Sequence, residues 1–122
     1  MAALRIAFEA PDTPGSASSS GRKPIDFVHL AAQTMGDKAL EIEVLQLFAR
    51  QARKVMKDIT EGDVNARAQA AHQLKGAALA VGAVDVAAAA GAIEQRPMDP
   101  ALPAILAESV LEAEMFILKL CR

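Results

Sequence analysis

The feature that most constrains the fold is a repeat of apolar side chains at spacings of three and four, which runs through the chain from residue 38. An α-helix completes a turn every ~3.6 residues, so this spacing places the apolar side chains on one helical face. After residue 24 we find no stretch in which apolar and polar side chains alternate as they do in a strand. The sequence therefore predicts an all-α domain.

Breaks in this pattern divide the domain into five predicted helices. The first is short, about Ile25 to Gln33, and it starts with Pro24 near its first position and the acidic Asp26 in its first turn. The four long helices are expected at about 38–60, 64–81, 84–96, and from 100, with Asp99 as the cap, or from 103 to 120. Helices joined by short connections pack as antiparallel neighbours. We therefore expect an antiparallel up-down-up-down four-helix bundle, with the short N-terminal helix as an extra element at one end.

Each predicted helix has one seam of residues that should face the core. These residues are Phe27 and Leu30; Leu45, Phe48, Ala52, Val55 and Ile59; Val64, Ala71, Leu74, Ala78 and Val81; Val86, Ala89, Ala90 and Ile93; and Leu106, Val110, Ala113, Ile117 and Leu120. A chain of 122 residues is long enough for one domain with a modest core built from such seams.

Residues 1–23 differ in composition from the rest, and we treat them as an N-terminal tail ahead of a bundle domain at 24–122. Residues 11–21 are rich in Pro, Gly and Ser, which is the composition of a flexible linker. Ahead of the linker, Leu4, Ile6 and Phe8 alternate with other residues as in a strand, although a single strand would have no partner. Two interpretations stay open: a disordered tail, or apolar residues that dock on the bundle or on a partner.

Composition excludes several classes of function. The formal net charge is −2, which disfavours binding to duplex nucleic acid. Aromatic residues make up 3% of the chain, and neither Trp nor Tyr occurs, which disfavours stacking on single-stranded nucleic acid. The one cysteine excludes a disulfide framework and a Cys-based zinc site within the monomer. No apolar run approaches the ~20 residues of a membrane span. We expect a monomer in the cytoplasm without a bound metal.

The residues that point to chemistry lie in the third predicted helix, where residues 71–78 read Ala-His-Gln-Leu-Lys-Gly-Ala-Ala. Lys75 and Gly76 lie about one turn from His72, because positions three and four apart are neighbours on a helix. His72 lies roughly 140° from the centre of the inward seam, so we expect an exposed side chain. A cation beside a nucleophilic imidazole offsets phosphate charge, and a glycine leaves clearance for another protein. This combination suits a phosphoryl group.

This string, with Gly82 and Ala83 about ten residues after the histidine, resembles the histidine-containing phosphotransfer (HPt) domains of bacterial phosphorelays. The resemblance covers about Pro24 to the C-terminus and departs at Ala77, where many members carry Ser. It implies that Nε2 of His72 accepts a phosphoryl group from a receiver-domain aspartate and passes it to another receiver. It also implies response-regulator receiver domains and a hybrid or sensor histidine kinase as partners. No cofactor is expected on this chain, because the Mg²⁺ would belong to the receiver.

A second apolar set on the second predicted helix lies about a quarter turn from its inward seam. Leu40, Val44 and Leu47 continue into Gln51 at the same helical spacing. A helix in a bundle meets two neighbours, so such a wide apolar arc can be part of the core. The resemblance implies instead that receivers dock on the second and third helices beside the phosphorylated histidine. These four residues, together with Leu79, are therefore candidates for partner docking.

Two other functions fit the same sequence. One is a helical-bundle adaptor that binds receivers or a kinase without carrying phosphate. The other is a phosphatase, which needs a side chain that positions water; Gln73 is adjacent to His72 but points roughly 100° away from it. The chain has no ATP-binding motif, so we expect neither ATP binding nor autophosphorylation. His29 lacks the Lys-Gly pair that follows His72, and we assign it no role.

Overall fold

The computed structural model describes residues 23–121, which form five α-helices and no strand. The helices are α1 (Phe27–Thr34), α2 (Lys38–Glu61), α3 (Val64–Val81), α4 (Val84–Gln95) and α5 (Leu102–Leu120). The predicted tail and the alternation at residues 4–8 lie outside the described residues. The prediction of an all-α domain is confirmed.

The four long helices form a bundle in which each contacts two neighbours. Helix α3 packs against α2 and α4, and α5 packs against the same two helices, so α3 and α5 lie diagonally opposite each other. The pairs Arg53–Glu114 and Gln46–Cys121 show that α2 and α5 run antiparallel, because a residue earlier in α2 meets one later in α5. The short α1 packs on α2 and α3. The predicted bundle with an extra N-terminal helix is therefore confirmed.

The core contains the predicted seams together with buried residues that were not predicted, such as Ile25, Ala87 and Leu102. Phe27 is only half-buried, and two further corrections lie at helix ends. Every residue predicted to face inward on α2 and on α4 is buried. Val64 and Leu120 were predicted to face the core, and they are wrong: their exposed fractions are 43% and 38%. Val64 is the first residue of α3 and Leu120 the last of α5. Helical periodicity continues to the end of a helix, whereas the packed neighbours do not extend that far.

Helix boundaries follow from the capping residues. The bounds of α3 match the prediction, and Asp63 caps it by accepting a hydrogen bond from the backbone N–H of Ala66. Helix α1 starts two residues later than predicted. Asp26 precedes the helix as its N-cap and accepts hydrogen bonds from the backbone N–H groups of Val28 and His29. Helix α5 begins at Leu102, with a proline in its first turn, which resolves the two starts that the sequence left open.

The turn at Gly82 joins α3 to α4 and also anchors the start of the bundle. Gly82 has a φ of 80°, a left-handed conformation that glycine adopts without strain. A Cβ at this position would lie 2.7 Å from the backbone oxygen of Asp26. The backbone N–H of Asp26 donates a hydrogen bond of 2.8 Å to the Gly82 oxygen. The glycine therefore permits both the tight α3–α4 connection and the close approach of the segment that leads into α1.

Candidate functional site

His72 lies on the outer surface of α3, as predicted. The buried residues of this helix are Ala70, Ala71, Leu74, Ala78 and Val81. The side chain of His72 is 68% exposed, on the face away from this seam. The ring is therefore accessible to a partner protein from solvent.

One nitrogen of the His72 ring is held by a carboxylate on the next helix. The Nδ1 atom lies 2.7 Å from Oε2 of Glu94 on α4. An ionised carboxylate can only accept a hydrogen bond, so this contact places the proton on Nδ1. In the neutral ring the lone pair is then on Nε2, which has no hydrogen-bond partner among residues 23–121. The contact fixes both the tautomer and the direction in which the nucleophilic nitrogen points.

The same carboxylate also binds Lys75. The Nζ atom of Lys75 lies 3.0 Å from Oε1 of Glu94, so the two oxygens of Glu94 contact the lysine and the histidine separately. The pKa of the Glu94 carboxyl is lowered, first by the neighbouring Lys75 ammonium and then by the hydrogen bond with His72. Glu94 therefore stays ionised to a lower pH than an unperturbed glutamate, which favours both its ion pair with Lys75 and its hydrogen bond with His72.

Gly76 provides open space next to the histidine. It is an exposed residue in the middle of α3, and a Cβ added there would have no atom within 4 Å. A glycine that allowed two helices to approach each other would show close neighbours at this point. Gly76 costs α3 about 1 kcal/mol of helix stability relative to Ala. No contact within the described residues accounts for it, and clearance for a partner stays a prediction.

Two residues of this site, Glu94 and Gly91, were not predicted. Gly91 lies on α4, and a Cβ there would come within 3.3 Å of Cδ of Lys75. The absence of a side chain at this position leaves room for the aliphatic stem of the lysine as it crosses α4. Gly91 therefore helps to direct the Lys75 ammonium toward Glu94.

The sequence does contain a signal for both residues. His72 lies eleven positions before Ala83, and Glu94 lies eleven positions after it. Lys75 and Gly91 are likewise eight positions before and after the same residue. Two antiparallel helices of equal rise, joined by a turn at Ala83, bring positions of equal separation to the same level. Counting from the turn would have paired Lys75 with Gly91 and His72 with Glu94.

The predicted docking residues lie at or near the surface, four of them on α2 and Leu79 on α3. Leu40, Leu47 and Leu79 have exposed fractions of 40%, 57% and 52%, Gln51 is exposed and Val44 is half-buried. Leu79 follows His72 by seven positions on α3, which places it on the same side of that helix. The structure therefore leaves these residues available to a partner, while their role in docking remains a prediction.

The docking residues of α2 lie on the side of that helix that faces α3. Asp58 follows Gln51 by seven positions, so it lies on the same side of α2 as the docking residues. Together with Gln69 and Gln73 of α3, Asp58 lines a groove of about 410 Å³ between α2 and α3. The opposite side of α2, with Gln46 and Ala49, faces α5. A partner that covers His72 from the α2 side would therefore cross this groove and meet the predicted docking residues.

Gln73 lines the same groove, on the side of α3 toward α2, whereas His72 contacts α4.

Among residues 23–121, no group of three or more His, Cys, Asp or Glu side chains could hold a metal ion. Within the same range, every helix is too short or too polar to cross a membrane.

Comparison with known families agrees with the geometry of the site. The family model for the Hpt domain matches residues 43–116, which is more than half of the chain and includes His72, Lys75, Gly76 and Glu94. No curated protein and no solved structure gives a significant match. Hpt domains are phosphocarriers rather than kinases, and they function in two-component signalling. The chain therefore belongs to the Hpt domain family, as its resemblance to the histidine-containing phosphotransfer domains predicted.

Proposed function

We propose that this chain is a histidine phosphotransfer protein that carries a phosphoryl group on Nε2 of His72 between the aspartates of receiver domains. The observation that carries the proposal is the 2.7 Å contact between Nδ1 of His72 and Glu94 on a side chain that is 68% exposed. This contact leaves the accessible nitrogen with a free lone pair, which is what a phosphoryl acceptor requires.

The transfer step is a displacement at phosphorus. The lone pair of Nε2 attacks the phosphorus of an aspartyl phosphate, an N–P bond forms, and the O–P bond breaks to release the receiver carboxylate. The ring keeps its proton on Nδ1 and becomes positively charged as the bond forms. Glu94, 2.7 Å from Nδ1, stabilises that charge. Return transfer to a second receiver reverses these bond changes and leaves the neutral ring.

Lys75 contributes charge near the phosphoryl group. Its ammonium is held by Glu94 at 3.0 Å, one helical turn from His72. A lysine interacts with phosphate as a point charge rather than through a bidentate fork. Lys75 therefore attracts and stabilises the phosphoryl group, while Glu94 keeps the ammonium beside the ring before the partner arrives.

The partner would complete the site. Gly76 leaves space beside His72, and the docking residues Leu40, Val44, Leu47, Gln51 and Leu79 would contact the receiver. The receiver would supply the aspartate and the Mg²⁺, which neutralises charge on the transferring group. This division of roles requires neither ATP binding nor a cofactor on this chain.

The proposal is tested by transfer from a receiver domain charged with labelled phosphate. Wild-type protein should become labelled, and His72→Gln should not, because glutamine has no nitrogen lone pair that can attack phosphorus. Binding of the receiver, measured by calorimetry, should remain in the variant. If both label transfer and binding are the same in wild type and variant, the chain carries no phosphate on His72 and acts as an adaptor instead. Label on His72 after incubation with ATP alone would contradict the proposed division of roles.

A further inference from the structure

Helix α5 has a second apolar face that none of the proposed chemistry uses. Leu111, Met115 and Leu118 follow each other at helical spacing, and their exposed fractions are 54%, 52% and 60%. They line a groove of about 490 Å³ between α2 and α5, which also includes Ala49 and Cys121 and is bordered by the charged side chains of Arg50, Arg53 and Glu114. A contiguous apolar surface of this kind on a small protein indicates an interaction. The groove is remote from His72, because α5 lies diagonally across the bundle from α3.

The chain enters the bundle beside the C-terminal half of α5, which forms one wall of this groove. The ring of Phe27 lies 5.6 Å from that of Phe116 on α5, and the ammonium of Lys23 lies 5.9 Å from the centroid of the Phe27 ring. Phe116 lies five positions before Cys121, which lines the groove at the C-terminal end of α5. The segment that precedes Lys23 therefore starts beside the last turns of α5. The side chains of Phe116 and Cys121 point roughly 140° apart around the helix, so this segment has to pass around α5 to reach the groove.

The length of that segment is sufficient to reach the groove. Residues 9–22 can span up to roughly 46 Å when extended, at ~3.3 Å per residue. Helix α5 rises only about 15 Å between Leu111 and Cys121. Leu4, Ile6 and Phe8 come directly before residues 9–22, and in an extended segment their side chains project to one side.

We propose that Leu4, Ile6 and Phe8 cover the groove between α2 and α5 of their own chain. A tethered segment competes at an effective concentration of order millimolar, which a second copy of the chain would have to match. The inference therefore favours an intramolecular contact and a monomer. It is independent of the role proposed for His72.

The single cysteine of the chain gives a direct test, because Cys121 is exposed and lines the groove. The rate at which its thiol reacts with an aromatic disulfide reagent should be several-fold higher in the full chain with Leu4→Ser, Ile6→Ser and Phe8→Ser than in wild type. Ala7→Ser is the matched control, since its side chain projects to the opposite side of an extended segment, and it should react like wild type. A spin label on Cys121 should broaden the amide signals of residues 4–8.

Three results would overturn the proposal. The first is an equal thiol rate in wild type and the triple variant, and the second is an absence of broadening at residues 4–8. The third is a wild-type thiol rate that falls as protein concentration rises, with dimers seen by sedimentation, which would assign the groove to a second copy. Labelling of His72 by a receiver is a separate measurement, so failure of this inference is distinguishable from failure of the proposed function.

Discussion

Two interhelical carboxylates of this bundle show how similar ion pairs can serve different ends. Between α2 and α5, both oxygens of Glu114 accept hydrogen bonds from the guanidinium of Arg53, at 2.6 and 2.9 Å. Between α3 and α4, the oxygens of Glu94 are divided between Lys75 and the Nδ1 atom of His72. The first arrangement uses both oxygens on one cation. The second leaves a reactive atom, Nε2, directed away from the carboxylate.

The two faces differ in the side chain that each carboxylate contacts, rather than in the presence of an ion pair. The pKa of Arg53 is raised by its hydrogen bond and charge interaction with Glu114, which keeps an already charged group charged. The interaction with Glu94 instead selects one tautomer of a group that can be neutral. Only the interaction of Glu94 with His72 decides which ring nitrogen carries the lone pair.

Of the substitutions that test this comparison, we expect the loss of the Glu94 carboxylate to have the greatest effect. Glu94→Ala should slow phosphoryl transfer to His72 by roughly 10- to 100-fold, by analogy with the loss seen when the hydrogen-bond partner of a metal-binding histidine is removed. Glu114→Ala is the matched control and should leave the transfer rate unchanged, because its helix pair lies away from His72. Rates are measured in single-turnover transfer from a charged receiver. Glu94→Gln should retain more activity than Glu94→Ala, since the amide oxygen can still accept from Nδ1. Equal rates for the two alanine variants would remove the distinction between the carboxylates.

A second substitution tests whether the His72 face must stay open. Gly76→Leu should raise the stability of the isolated protein by up to about 1 kcal/mol, because leucine favours the helix interior. It should nevertheless reduce transfer by roughly tenfold or more, since a small displacement of the reacting groups is costly. Ala104→Leu, at an exposed position on α5, is the control that adds bulk on the other side of the bundle. Thermal unfolding and transfer rate are measured on both. A normal rate in Gly76→Leu would show that clearance at this position is not needed.

A smaller effect is expected at the glycine that accommodates the lysine stem. Gly91→Ala places a methyl group 3.3 Å from Cδ of Lys75. A forced change of side-chain rotamer costs about 0.5 kcal/mol, which corresponds to roughly a twofold loss of rate. Lys75→Ala should slow transfer without abolishing it, and adding Gly91→Ala to it should cause no further loss. Additive losses in the double variant would show that Gly91 acts through another residue.

The smallest effect concerns the ionisation of Glu94 itself. Its pKa is lowered in the folded chain, so its contacts add stability above the pKa of the unfolded chain, and this contribution is lost as pH falls through the folded value. Lys75→Ala should raise the Glu94 pKa more than His72→Gln does, because the lysine is the larger cause of the shift. Carbon-13 NMR titration of the carboxyl measures both shifts. The reverse order would make the histidine the principal partner of Glu94.

Much of the fold followed from periodicity and capping residues. The seams of α2 and α4, and the bounds of α3, could be predicted because each depends on residues close together in sequence. The corrections at Val64 and Leu120 have one cause, since a helical pattern does not record where the neighbouring helix stops. Asp26 was placed inside α1 rather than before it, because an acidic residue favours both the N-cap and the first turn.

Helical spacing within one segment was enough to predict amphipathic helices and to place a lysine and a glycine one turn from His72. These are properties of a single helix, and helical spacing settles them. Only the tertiary structure decided that Glu94 binds Nδ1 of that histidine, that Gly91 makes room for Lys75, and that an apolar groove remains open on α5. Each of these depends on which faces of two different helices meet, and that is fixed by the packing of the whole bundle rather than by any one segment.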